Sequence, residues 1–139
     1  MDSKCIYLDT NIVLDIVNNT RINNLQAIEL WNKLIIEKWK IVISEDMLTT
    51  IFYINKDKKQ TLEFFKTIQK RWLIVPFGKD VITNAIELSL KNNLDLEDVL
   101  QCLCAKKNEC SILISNDNNF YNCGESIYST KDFLDKFKK

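Results

Sequence analysis

At 139 residues, with 46% hydrophobic content and only two Gly and one Pro, the chain has the composition of one folded domain, 1–139, and not of a disordered or fibrous protein. Its 19 Lys and Arg match its 19 Asp and Glu, which excludes the broad positive field of a nonspecific nucleic-acid binder but allows a local basic patch. There is no His, so zinc lacks its usual nitrogen ligand, and Ser-His-Asp and Cys-His nucleophilic sites are excluded.

Ile6, Tyr7 and Leu8 form a short apolar run that predicts a buried strand. The run ends in Asp9, Thr10 and Asn11, and Ile12, Val13, Leu14, Ile16 and Val17 then predict a helix, so Asp9 falls where strand hands over to helix. Leu25, Ile28, Trp31, Leu34 and Ile35 predict an amphipathic helix over about 24–38, and Lys40 to Ser44 a second strand. Glu45 and Asp46 stand as first-turn acids of a helix through Met47, Leu48, Ile51 and Phe52. Leu62, Phe65 and Ile68 predict a further helix ending near Trp72, and Leu73 to Phe77 a third strand with Pro76 near its end. Gly78 marks a turn before a helix carrying Val81, Ala85 and Leu88, which Asn92 and Asn93 break. Leu96 to Lys107 reads as another helix, Ser111 to Ser115 as a fourth strand, Ile127 to Ser129 as a short strand, and a last helix starts near Lys131.

Strands and helices alternate throughout and the strands are almost wholly apolar, which predicts a three-layer α/β/α sandwich around a mostly parallel sheet. Five cysteines, at 5, 102, 104, 110 and 123, form no Cys-x-x-Cys pair; most sit in apolar helix or strand patterns and are expected to be small buried thiols in a reduced, cytoplasmic protein. No signal peptide is read at the start of the sequence, and no apolar run reaches membrane-spanning length.

Right-handed crossovers place the carboxyl ends of parallel strands on one edge, where ligands bind in open α/β sheets. Asp9 and Asp117 fall at that edge, and Asp98 opens a helix that can aim an acid back across it, with Asp95 on the same helical face. Carboxylates gathered without Lys or Arg nearby repel one another and hold their protons unless a cation separates them. The cation such donors suit is Mg²⁺ or Mn²⁺, an ion that keeps several waters and serves phosphoryl chemistry. Each acid also has a purely structural reading: Asp9 as a helix cap, Asp95 and Asp98 as cap and first-turn acid, Asp117 as a turn residue.

The segments Tyr7-Leu8-Asp9-Thr10-Asn11-Ile12-Val13-Leu14-Asp15, Leu96 to Ala105 and Ile114 to Phe120 resemble, in order and separation, the motifs of the PIN-domain nucleases, which include the VapC-type toxins of toxin–antitoxin pairs. The resemblance implies a Mg²⁺- or Mn²⁺-dependent endoribonuclease with RNA as substrate. It implies Asp9, Asp98 and Asp117 as metal ligands, Asn11 as an orienter of Asp9 or of a water, and Asp95 as an accessory acid. It further implies an antitoxin protein as partner and a homodimer; no membrane is expected, since no apolar run is long enough to span one. The chain departs from the family pattern at two positions: Asn119 stands where many relatives carry Asp, and the sixth residue after Ser44, usually Glu, is Thr50. Thr50 keeps open a second reading, a catalytically weakened PIN-like binding or regulatory module. A phosphatase-like reading is disfavoured because Asn11 stands where those enzymes need a second Asp, and no Gly-rich phosphate loop supports a nucleotide-binding fold.

Overall fold

The computed structural model describes residues 4–137. Strand β1 (Cys5–Leu8) leads into helices α1 (Thr10–Val17) and α2 (Asn24–Ile36), then β2 (Lys40–Ser44), α3 (Asp46–Ile54) and α4 (Lys58–Gln69). After β3 (Leu73–Val75) come α5 (Lys79–Asn92) and α6 (Leu96–Lys107), then β4 (Ile112–Ile114), β5 (Ser126–Tyr128) and α7 (Thr130–Lys136). The five strands form one sheet in the order β3-β2-β1-β4-β5, and every pairing is parallel.

This order decides where a site can form. The chain steps outward from β1 to β2 to β3, then returns across the sheet to place β4 against the other side of β1. With right-handed connections, that reversal puts α5 and α6 on the face opposite α1 to α4. The neighbours β1 and β4 therefore flank the topological switch point, where a crevice opens outside the carboxyl edge. Because α6 feeds the amino end of β4, its own first turn lies at that same edge.

The central strands are buried on both faces: all of Cys5 to Leu8 and Ile112 to Ile114 lie in the core with Ile41, Val42 and Ile43. That explains their unbroken apolar runs, in place of the alternation of a half-exposed strand. The predicted elements all appear: β2 keeps its expected bounds, β1 gains Cys5, β5 shifts by one residue, and β3 and β4 are shorter than expected. β3 stops at Val75, leaving Pro76 and Phe77 outside, as expected for a residue without an amide donor. Asn93 closes α5 in the left-handed conformation at φ 55°, which Asn tolerates better than most residues.

The cysteines call for a correction. Cys5, Cys104 and Cys110 are buried thiols as expected, but Cys102 and Cys123 form a disulfide. The two are 21 residues apart in sequence, and the loop after β4 brings their Cα atoms to 6.0 Å by folding back over α6. A pairing set by tertiary packing leaves no local mark in the sequence. Among the described residues no helix is long and apolar enough to cross a membrane.

Candidate active site

Asp9 follows the last residue of β1 and is only 5% exposed. Its backbone is tied into the sheet, the Asp9 amide donating to Ile114 O at 3.0 Å. It occupies the N-cap position of α1, yet its carboxylate is not spent as a usual cap, which accepts from the second or third helical amide. Oδ1 accepts instead from the first, Thr10 N, at 2.7 Å, and from Gln101 Nε2 on α6 at 3.0 Å. Oδ2 accepts from Ser115 Oγ, just past β4, at 2.9 Å. Three elements thus grip one carboxylate, all through neutral donors. Burial pushes the Asp9 carboxyl up, those hydrogen bonds oppose the shift, and the Asp117 charge adds to it.

Asp98 lies in the first turn of α6, half-buried, and its carboxyl is pushed up to about 6 by burial and then by the charges of Asp95, Asp9, Asp117 and Glu97. Asp95 caps α6, its Oδ1 accepting from Asp98 N at 3.1 Å. Asp117 is exposed and turns its own loop, Oδ1 accepting from Asn119 N at 2.9 Å, while its amide donates to Ser115 Oγ at 3.2 Å. The structural readings of Asp95 and Asp117 are therefore realised in part, but the charges of both reach Asp98. Asn11 is exposed on α1, and among the described residues it makes no hydrogen bond to Asp9. The orientation of Asp9 falls to Gln101, Ser115 and Thr10.

Glu97 belongs to the same field. Thr10 Oγ1 donates to its Oε2 at 3.3 Å. Burial raises its carboxyl against that bond, helped by the charges of Asp9, Asp46 and Asp95. Asp46 is drawn in by a short hydrogen bond from Ser44 Oγ to its Oδ1. The charges acting most strongly on Asp9, Glu97 and Asp98 are all negative. Six acids therefore share one field at the carboxyl edge without a strong basic counterpart.

Gln101, Ser115, Glu97 and Thr10 escape the reading of sequence. Gln101 left one signal, as the single polar side chain in the run Val99 to Ala105; a lone amide inside an apolar helix asks for a partner. Ser115 and Thr10 left none, since hydroxyls beside Asp are common for turn and cap reasons.

A divalent cation can be tested against this donor set. The atoms are hard carboxylate oxygens and their mutual repulsion is uncompensated, which suits Mg²⁺ or Mn²⁺. Among the described residues no three Cys, Asp or Glu side chains are placed to hold a metal ion together. Mg²⁺ does not ask for three, since it keeps several waters and binds through one or two carboxylates. The residues present fit such an ion.

The sequence profile of the PIN domain matches residues 6–125 of this chain, from β1 to the end of the loop that carries Asp117. The chain belongs to the PIN domain family. Ribonuclease VapC1 of Aquifex aeolicus is 34% identical over 141 aligned residues, covering 99% of this chain and 98% of that protein. Among solved structures, VapBC2 from Rickettsia felis, bound to a DNA fragment from its promoter, superposes with a TM-score of 0.69 at 19% identity, covering 90% of this chain and 98% of the other. Mycobacterium tuberculosis VapC20, described as a sarcin–ricin loop cleaving toxin, superposes at 0.68 with 13% identity, covering 83% and 92%. At those identities the two structures establish the PIN fold alone.

Within this PIN domain Thr50 is exposed on α3, and its Oγ1 donates back to Asp46 O at 3.3 Å. No carboxylate stands at that position. The nearest acid on α3 is Asp46, one turn earlier, whose charge is felt at Glu97.

Proposed function

We propose that this PIN domain is a Mg²⁺- or Mn²⁺-dependent endoribonuclease that hydrolyses RNA phosphodiester bonds in the cytoplasm as the toxin of a toxin–antitoxin pair. The observation that carries the reading is Asp9, a buried carboxylate at the switch point, held by neutral donors alone and surrounded by Asp98, Asp117, Asp95 and Glu97. Buried charges are as a rule paired with an opposite charge or bound to a metal, and Asp9 has no cationic partner among the described residues. Asp9, Asp98 and Asp117 would hold the ion, one or two of them directly and the rest through its waters, and Asp95 and Glu97 deepen the negative field that draws it in. The chemistry such an ion supplies is a water of lowered pKa and charge stabilisation on the phosphate oxygens. Asp9 is fixed before any substrate arrives, so little reorganisation remains for the reaction. The same crevice would receive the inserted segment of an antitoxin, a partner favoured by the toxin relatives, and the active species would be a homodimer.

The test is cleavage of structured RNAs by the purified protein with Mn²⁺, with EDTA and with Asp9→Asn as controls. Metal-dependent cleavage that the variant loses is the expected result; equal cleavage by both proteins would sink the assignment. Thr50 favours a second reading, a PIN module that binds without cutting. Calorimetric titration separates the two, because the binding module gives neither heat with millimolar Mn²⁺ nor cleavage.

A further inference from the structure

Gln101 is almost fully enclosed at this site, 1% exposed, on α6 between the buried Val99 and Cys102 and one turn after Asp98. An amide in apolar surroundings is costly unless its donor and acceptor ends are both paired. Only the donor end is: Nε2 reaches Asp9 Oδ1, while Oε1 is buried without a partner among the described residues. The orientation is not arbitrary, because only the NH₂ side of an amide can face a carboxylate oxygen. Oε1 and Nε2 hang on one carbon, so a donor to Oε1 would lie beside Asp9.

The lone pairs of Asp9 give this placement a purpose. Each carboxylate oxygen has room for about two donors. Oδ1 is full, with Thr10 N and Gln101 Nε2, whereas Oδ2 accepts only from Ser115 Oγ. We propose that Gln101 is a positioning residue: it saturates Oδ1, so that Oδ2 is the atom Asp9 offers to the divalent cation, and its Oε1 accepts a hydrogen bond from water held at the site. The inference rests on the metal-dependent reading above. It connects α6 to β1 through one side chain, so the helix that carries Asp98 also sets the angle of Asp9. An apolar residue at 101 would leave Oδ1 half-open and the carboxylate held by Thr10 and Ser115 alone, with a terminal torsion that is intrinsically broad.

Gln101→Met tests this, because Met has similar length and packs well but neither donates nor accepts strongly. Mn²⁺ titrated calorimetrically without RNA is expected to bind the variant about 10- to 100-fold more weakly, the usual effect of losing a partner behind a metal ligand. The metal-free melting temperature should hold. An unchanged Mn²⁺ affinity overturns the inference, as does a weakening fully accounted for by lost metal-free stability. Wild-type protein that takes up no Mn²⁺ at all overturns the metal reading itself, and the inference with it. Should the variant not fold, wild-type protein still decides the matter by nuclear magnetic resonance. Gln101 is the one buried glutamine of the four in the chain. Its side-chain NH₂ signals are expected to shift on adding Mg²⁺, and signals that stay in place overturn the proposal.

Discussion

Asp9 and Asp15 sit at opposite ends of one helix, both buried, at 5% and 4% exposure, and they are satisfied in opposite ways. Asp15 receives the guanidinium of Arg21, Nε to Oδ1 at 2.7 Å, so its charge is neutralised where it stands. Asn24 Nδ2 then donates to the carbonyls of Asp15 and Ile16, closing that end of α1. Asp9 receives a serine, an amide and a backbone N–H, and the strongest charge acting on it is another acid. The same residue type is a strut at one end of α1 and an open site at the other. Burial does not tell the two apart; the sign of the neighbour does. A fold that leaves a buried carboxylate short of positive charge leaves a place for an external cation.

The largest expected effect comes from Asp9→Asn. Asn is isosteric and its Oδ1 can keep Thr10 N and Gln101 Nε2, while Ser115 can turn its hydroxyl to accept from the new amide. Stability at pH 7 should therefore hold or rise, because a penalised buried charge has gone. RNA cleavage should fall by at least about 100-fold, beyond the usual loss at a residue behind the ligands. Asp15→Asn should do the reverse. It leaves Arg21 unpaired and is expected to cost about 2 kcal/mol, between an exposed and a fully buried pair. Cleavage per folded molecule should stay at the wild-type level. Denaturant melts beside initial rates check both, and a stability loss in the Asp9 variant would erase the contrast.

That contrast also marks how far the sequence could be read. β1, β2, α6 and β4 were legible because unbroken apolar runs and helical spacing arise from local burial demands, which the strand order then satisfies. Asp9, Asp98 and Asp117 were legible as acids at strand ends and a helix start. What held Asp9 was not, because Gln101 is 92 residues away and Ser115 is 106 away, and such partners exist only once β4 lies against β1. The Cys102–Cys123 bridge was hidden for the same reason. So was the difference between Asp9 and Asp15, since Arg21 is placed by the turn after α1 rather than by helical spacing.

Asp98 sharpens the comparison through pH. Its carboxyl titrates near 6 in the fold against an ordinary 3.8, so the folded state holds this proton more tightly than the unfolded chain. Ionisation therefore penalises the metal-free fold above about pH 6, and the penalty lifts as pH falls from there towards 3.8. In EDTA, the melting temperature should gain from this group between pH 7 and 5, and Asp98→Asn should remove that part of the gain. A cation offsets the same penalty, so Mn²⁺ should stabilise wild-type protein more at pH 7 than at pH 5. Scanning calorimetry across the range reads both; a metal effect independent of pH would mean that Asp98 lies outside the ion's reach.

The smallest effect should come from Thr50→Glu. Position 50 is exposed on α3, and Asp46, held by Ser44, already brings negative charge to the flank facing Glu97. A further carboxylate in solvent adds under about 1 kcal/mol, so Mn²⁺ affinity and cleavage should rise by no more than about fivefold. A rise of two orders of magnitude or more would give a different account of the site. Thr50 would then be what limits the wild-type enzyme, Asp46 would not be filling the gap, and the chain would be a PIN domain that kept the Asp9 grip while losing most of its cutting power. Titrating Mn²⁺ into both proteins alongside the rates decides this. If affinity and rate climb together, position 50 belongs to the metal site; if neither moves, the negative field around Asp9, Asp98 and Glu97 is complete without it.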